Sequence, residues 1–195
     1  MKILNVPYYY QIDNPGQGFR ECCATSNAML LNSITDGWLD AEAKRLGISQ
    51  PEQIYLDRLY SDYGDTTDHN ANTRCLRSFG VESEWRTDLT TRDYMRSIDN
   101  EIAMVLGFEY KDSGHIVIGA GYRPKNLKTG QHWLAYINDP NGQRRNTTNT
   151  WISNDPLAGK LDVYSENTFN TVWEGHLGKG WGRIVHSIHG KATSL

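Results

Sequence analysis

Two cysteines stand side by side in RECCATSNAMLL, residues 20–31 of a chain that has only three. A thiol acts as a nucleophile in its thiolate form, and needs a base to generate it and a third group to orient that base. The spacing predicts a helix over residues 22–33. Wound at about 100° per residue, the segment gathers Ala24, Ala28, Leu30, Leu31 and Ile34 on one broad side. Thr25, Ser26, Asn32 and Ser33 fall on the other side. Cys23 lies at the edge of the apolar side and reads as a core filler. Cys22 lies on the polar side, in the first turn and facing away from the core. Unsatisfied N–H groups and the positive end of the helix dipole favour a thiolate there, and can receive an oxyanion.

Among six histidines, His115 is the one placed to serve as the base. It opens the apolar run GHIVIGAGY, so its ring can project from a strand end into a cleft. Asp139, in AYINDPNG, closes the next strand just before Pro140. Neighbouring antiparallel strands can bring such a pair into hydrogen-bonding range.

Other reactive side chains have plainer readings. Cys75, beside Leu76 and Phe79, reads as a buried thiol. His186 and His189 in HSIH have helical spacing within a strand pattern, which turns their rings to opposite faces; no metal site is expected. His69 in TTDHN could line the cleft but reads rather as a solvated turn or cap residue, and His132 and His176 have no defined partner. The six tryptophans and eleven tyrosines are expected mainly to fill cores. The glycines of GAGY lie inside a strand, not before a helix, so they make no phosphate loop. GxSxG is absent, which disfavours a serine hydrolase.

The elements that must carry these residues follow from periodicity. ILNVPYYY reads as a first strand and QIDNPGQGFRE as a polar loop before the cysteine helix. PEQIYLDRLYSDYG is helical, with Pro51 suited to its first turn. A further helix, capped by Thr67 or Asp68, runs through Cys75 to a stop at Gly80. VESEW, TTRDYMRSIDN and EIAMVLGFEY read as strand, helix, strand. GHIVIGAGY and HWLAYIND are the next strands, 140–165 is a polar loop, and WGRIVHSI closes the chain as a strand. Helices followed by an antiparallel meander predict an α+β architecture.

At 195 residues, with 38% hydrophobic and 22% charged, the chain is expected to form one soluble domain over residues 1–195. A net charge of -3 and the lack of Lys/Arg runs give no footprint for nucleic acid or a membrane surface. No apolar stretch is long enough to span a bilayer. The N-terminal MKILNVPYYYQ lacks the apolar core of a secretory signal, so cytoplasmic synthesis and free thiols are expected, and the NTT sequon at Asn146 carries no meaning.

In order along the chain, VPYYYQIDN, CCATSNAML, GHIVIGAGY and YINDPNG resemble the papain-like cysteine peptidases related to the bacteriocin-processing, double-glycine-leader peptidases. With the EIAMVLGFEY strand these segments cover most of residues 6–142. The resemblance implies a papain-like fold with helices packed on an antiparallel sheet, and no cofactor. It implies Cys22 as nucleophile, His115 as general base and acid, Asp139 as the group that holds the imidazole, and Gln11 as an oxyanion donor. The family motif most often has Gly-Pro after the nucleophile, where this chain has Cys23 and Ala24. YGDTTDHN and VWEGHLGKGWGRI also resemble stretches of phage-encoded hydrolases. The implied activity is hydrolysis of peptide or isopeptide bonds through an acyl-thioester, with peptides, or peptidoglycan cross-links or stem peptides, as substrate. An endolysin of this kind would need a holin-type route to the cell wall. Transpeptidase or transglutaminase-like acyl transfer, and a non-catalytic peptide-binding virion or host-interaction protein, are the alternatives.

Overall fold

The computed structural model describes residues 1–110, 113–145, 150–151, 155–174, 178–189 and 191–193. His176 and the sequon at Asn146 lie outside these residues. In chain order the elements are β1 (Lys2–Ile3), α1 (Cys22–Ile34), α2 (Trp38–Leu46), α3 (Glu52–Asp62), α4 (His69–Ser78), β2 (Val81–Leu89), α5 (Thr91–Asp99), β3 (Met104–Tyr110), β4 (Ser113–Arg123) and β5 (Leu134–Asn138). They continue with β6 (Arg144–Arg145), β7 (Thr150–Trp151), β8 (Asp162–Ser165), α6 (Glu166–Trp173), β9 (Gly180–Ile188) and β10 (Lys191–Ala192). Short 3-10 turns at Gln11–Asp13 and Gly18–Arg20 precede α1.

The expected α+β architecture is present, with a different strand order. The strands β3, β4 and β5 form a meander, continued by β8, and β9 inserts between β2 and β3, antiparallel to both. Period-two alternation sorts the sheet's two faces. Val105, Ile116, Ile118, Ala120 and Val185 join the core built with α1, α3 and α4. Met104, Leu106, Phe108, Val117 and Ile184 join the core under α5 and α6. The GAGY glycines serve close approach. A Cβ at Gly119 would overlap the Tyr94 ring of α5, and one at Gly121 would overlap the Lys2 carbonyl of β1.

Several expectations need correction. The first strand is confined to Lys2–Ile3, and the following residues bond irregularly to other segments. Two helices have no counterpart in the sequence reading. In α2, Gly37 and Gly47 flank the helix in left-handed conformations, and Leu39 and Ala43 are buried. In α6, the Ser165 hydroxyl accepts from the Thr168 N–H, and Phe169, Val172 and Trp173 enter the core. The 140–165 segment contains β6, β7 and β8 and is not wholly a loop. The largest revision concerns α1. Every residue from Cys23 to Asn32 is buried, the supposed polar side included, because α1 is packed by the sheet as well as by α2, α3 and α4.

Candidate active site

The first turn of α1 starts at Cys22, with Glu21 at the N-cap making no side-chain capping bond. The Glu21 carboxylate is engaged elsewhere, accepting from Asn14 Nδ2 at 3.0 Å and from the Tyr60 hydroxyl at 2.9 Å. The leading N–H groups of the helix are therefore not closed off by a side chain, as an anion pocket requires. Thr25 and Ser26 hold the helix in place. Asn14 Nδ2 donates to Thr25 Oγ1 at 3.3 Å, and Ser26 Oγ donates to the Ile116 carbonyl on β4 at 3.3 Å.

That last bond lies one residue from His115. The imidazole is buried, and its Nε2 lies 2.6 Å from Asp139 Oδ1. Pairing of β4 with β5, Ile118 opposite Asn138, sets Asp139 just past the strand end within reach of the ring. Asp139 Oδ1 also accepts from the Asn141 N–H at 2.9 Å. With Nε2 so engaged, Nδ1 is left for the thiol, and His115 makes a side-chain hydrogen bond with Cys22.

The electrostatics follow from these contacts. Burial by itself would push the half-buried Cys22 thiol up. The hydrogen bond and charge of His115, with a hydrogen bond from the Ile116 N–H, outweigh burial and hold the thiol below its ordinary value. Burial would likewise lower His115, but the charge and hydrogen bond of Asp139, with those of Cys22, raise it to about 9. The pair is thereby biased towards thiolate and imidazolium.

Gln11 is fully buried in the 3-10 turn before α1. Its Nε2 donates to the Gly18 carbonyl at 2.7 Å and its backbone N–H to the Pro140 carbonyl at 2.8 Å, beside Asp139. Gly18 must lack a side chain, since a Cβ would overlap the Gln11 carbonyl.

Cys23 is buried as expected, but His69 is not the solvated residue its sequence context suggested. It starts α4, with Asp68 as the cap, and its Nδ1 lies 3.6 Å from Cys23 Sγ. Its ring stacks on Trp85 at 3.7 Å between centroids, and Trp181 meets it edge-on at 6.4 Å. Arg183, buried behind them, donates to Thr73 Oγ1, Ser83 Oγ and the His69 carbonyl. Sequence spacing held no signal for this cluster, whose members come from α1, α4, β2 and β9. Cys75 is buried, and all three thiols are free. His186 lies 3.4 Å from Glu84, and His189 packs over Gly80. Among the described residues, no group of three His, Cys, Asp or Glu side chains could hold a metal ion, and no helix is long and apolar enough to cross a membrane.

No curated protein matches the chain. Among solved structures, it is similar to a double glycine motif protease from an AMS/PCAT transporter in complex with the leader peptide. That similarity has a TM-score of 0.51 at 16% identity, covering 95% of this chain and 97% of the other. The model of the Peptidase_C39 like family matches residues 3–178. On that match, over a helix-on-antiparallel-sheet architecture of papain-like α+β type, the chain belongs to the Peptidase_C39 like family and is a peptidase.

Proposed function

We propose that the chain is a cysteine peptidase, folded as one papain-like domain over residues 1–195, that cleaves peptide amide bonds through an acyl-thioester. The observation that carries this reading is the unbroken line of contacts from the Cys22 thiol through His115 to Asp139. The Cys22 thiolate attacks the scissile carbonyl carbon, and the carbonyl electron pair moves onto oxygen. Gln11 Nε2, with one hydrogen on Gly18, has a second for that oxyanion, and the Cys22 N–H supplies another donor. The His115 imidazolium gives its proton to the departing amine as the C–N bond breaks, leaving a thioester. His115, now neutral, takes a proton from water, the hydroxide attacks the thioester, and the acid product leaves with the thiolate restored. Asp139 holds the ring and stabilises its charged form throughout.

A peptide substrate is supported by the solved protease to which the chain is similar, which is bound to a leader peptide. The endolysin reading rests on the resemblance of YGDTTDHN and VWEGHLGKGWGRI alone. The test is to incubate the protein with a peptide library and with purified peptidoglycan, reading products by mass spectrometry beside a Cys22→Ala control. New termini that depend on Cys22 support peptide hydrolysis. Products joined to an added amine would indicate acyl transfer instead. Cleavage that persists in Cys22→Ala would overturn the mechanism.

A further inference from the structure

Gln11 and Asp139, given separate tasks above, sit on two segments laced together rung by rung. Asn138 Nδ2 donates to the Val6 and Pro7 carbonyls at 3.5 and 3.0 Å. The Tyr8 hydroxyl donates to the Asp139 carbonyl at 2.9 Å, and the Gln11 N–H to the Pro140 carbonyl at 2.8 Å. The turn leading into β8 closes over this lace. The Asp139 N–H donates to the Gly159 carbonyl at 2.9 Å, and the Leu161 N–H to Asn138 Oδ1 at 2.8 Å. Gly159 is buried, and a Cβ on it would overlap the Asp139 carbonyl and lie 2.7 Å from the Tyr8 hydroxyl.

These contacts act on the backbone of Asp139, where its aim is decided. Among the described residues, Oδ1 alone of the two carboxylate oxygens is held, by His115 and the Asn141 N–H. Oδ2 is buried with no hydrogen-bond partner among the described residues. A side chain held through one oxygen depends on its own peptide for direction. We propose that Tyr8 and Gly159 are positioning residues for the His115–Asp139 pair: the Tyr8 hydroxyl and the side-chain-free Gly159 fix the Asp139 peptide so that Oδ1 meets His115 Nε2. The proposal rests on the reading of Cys22, His115 and Asp139 given above. It gives the return of the 140–165 segment a task, as the backstop of the orienting carboxylate.

Tyr8→Phe is a clean probe. It removes one O–H and keeps the ring, and the Asp139 carbonyl still accepts from the Gly142 N–H at 3.1 Å. The experiment measures iodoacetamide alkylation of Cys22 against pH in the full chain, together with peptidase kcat and KM and a thermal melt. The variants are Tyr8→Phe, Gly159→Ala, Asp139→Asn and, as a control on the exposed side of the turn, Lys160→Ala. Loosening Asp139 removes support from the imidazolium, so the rising limb of alkylation moves to higher pH. Tyr8→Phe should slow alkylation at pH 6 and lower kcat, each by about fivefold, the value of one hydrogen bond. KM should be unchanged and the melt should move by only a few degrees. Asp139→Asn should shift the profile further in the same direction, and Lys160→Ala not at all. Gly159→Ala should exceed Tyr8→Phe; where it does not fold, Tyr8→Phe alone decides. A wild-type profile and kcat in Tyr8→Phe, with Asp139→Asn shifted, would overturn the positioning role. An unshifted Asp139→Asn would instead overturn the reading of the site beneath it.

Discussion

Cys23 Sγ lies 3.6 Å from His69 Nδ1, so a second thiol–imidazole contact stands one residue from the first. The two have opposite electrostatics because of what lies behind each ring. A buried carboxylate backs His115. Behind His69 lies a buried guanidinium, which adds to burial in lowering that imidazole to about 4. Burial, reinforced by the neighbouring Cys22, pushes the Cys23 thiol up to about 12, against the smaller opposing pull of Arg183 and Asn27. Brief alkylation at pH 7 should therefore modify Cys22 and spare Cys23 and Cys75, and peptide mapping would show it. In denaturant all three should react; rapid labelling of Cys23 in the folded protein would contradict this assignment.

The pH dependence of turnover follows from the first pair. In the proposed mechanism turnover needs the thiolate, available from below the ordinary thiol range, and the protonated imidazole, which is lost as pH rises through about 9. A plot of kcat/KM against pH should be bell-shaped, with its alkaline limb near that value. Alkylation of Cys22, which needs only the thiolate, should show no such fall. Parallel losses in both measurements above pH 9 would point to unfolding.

Substitutions at the site should grade by role. Cys22→Ala should reduce turnover by on the order of 10⁴-fold or more. Asp139→Asn keeps the shape but forfeits the charge that supports the imidazolium, and should cost roughly a hundredfold or more. Single-turnover assays under matched conditions would separate these losses from binding.

Glu52 offers a test of stability away from the chemistry. Burial raises its carboxyl to about 7 against an opposing hydrogen bond from its own backbone N–H, with smaller repulsions from Asp13, Asp40 and Glu21 adding to the rise. A carboxyl raised on folding contributes stability that is present below its unfolded value and lost as pH rises through the folded one. Glu52→Gln removes that dependence. It should raise the melting temperature at pH 8 relative to wild type and give little gain at pH 5, as scanning calorimetry at both pH values would show.

The proposed triad was legible because each member occupies a local landmark. Cys22 opens a helix, His115 opens a strand, and Asp139 precedes a proline. Strand pairing then determines the meeting of His115 and Asp139. The helical wheel failed on Thr25, Ser26 and Asn32 because it assumes one wet face, whereas α1 is buried on every side from Cys23 to Asn32. Asn27 shows how such a side chain is accommodated, with Nδ2 donating to the Cys23 carbonyl at 2.8 Å. His69 and Tyr8 were misread or passed over for a shared reason. Their partners lie 46 and 131 residues away, a distance no local pattern spans.

Glu21, which leaves the leading turn of α1 without a side-chain cap, sets a limit on engineering this protein for heat resistance. A designer would replace it with Ser or Asp, expecting a gain of about 1 kcal/mol from the new cap. The replacement would also lose the bonds that the Glu21 carboxylate accepts from Asn14 and Tyr60, and with them part of what holds the turn that carries the thiol. Robustness and turnover would then compete at a single residue, and stabilising changes belong on helices remote from the thiol.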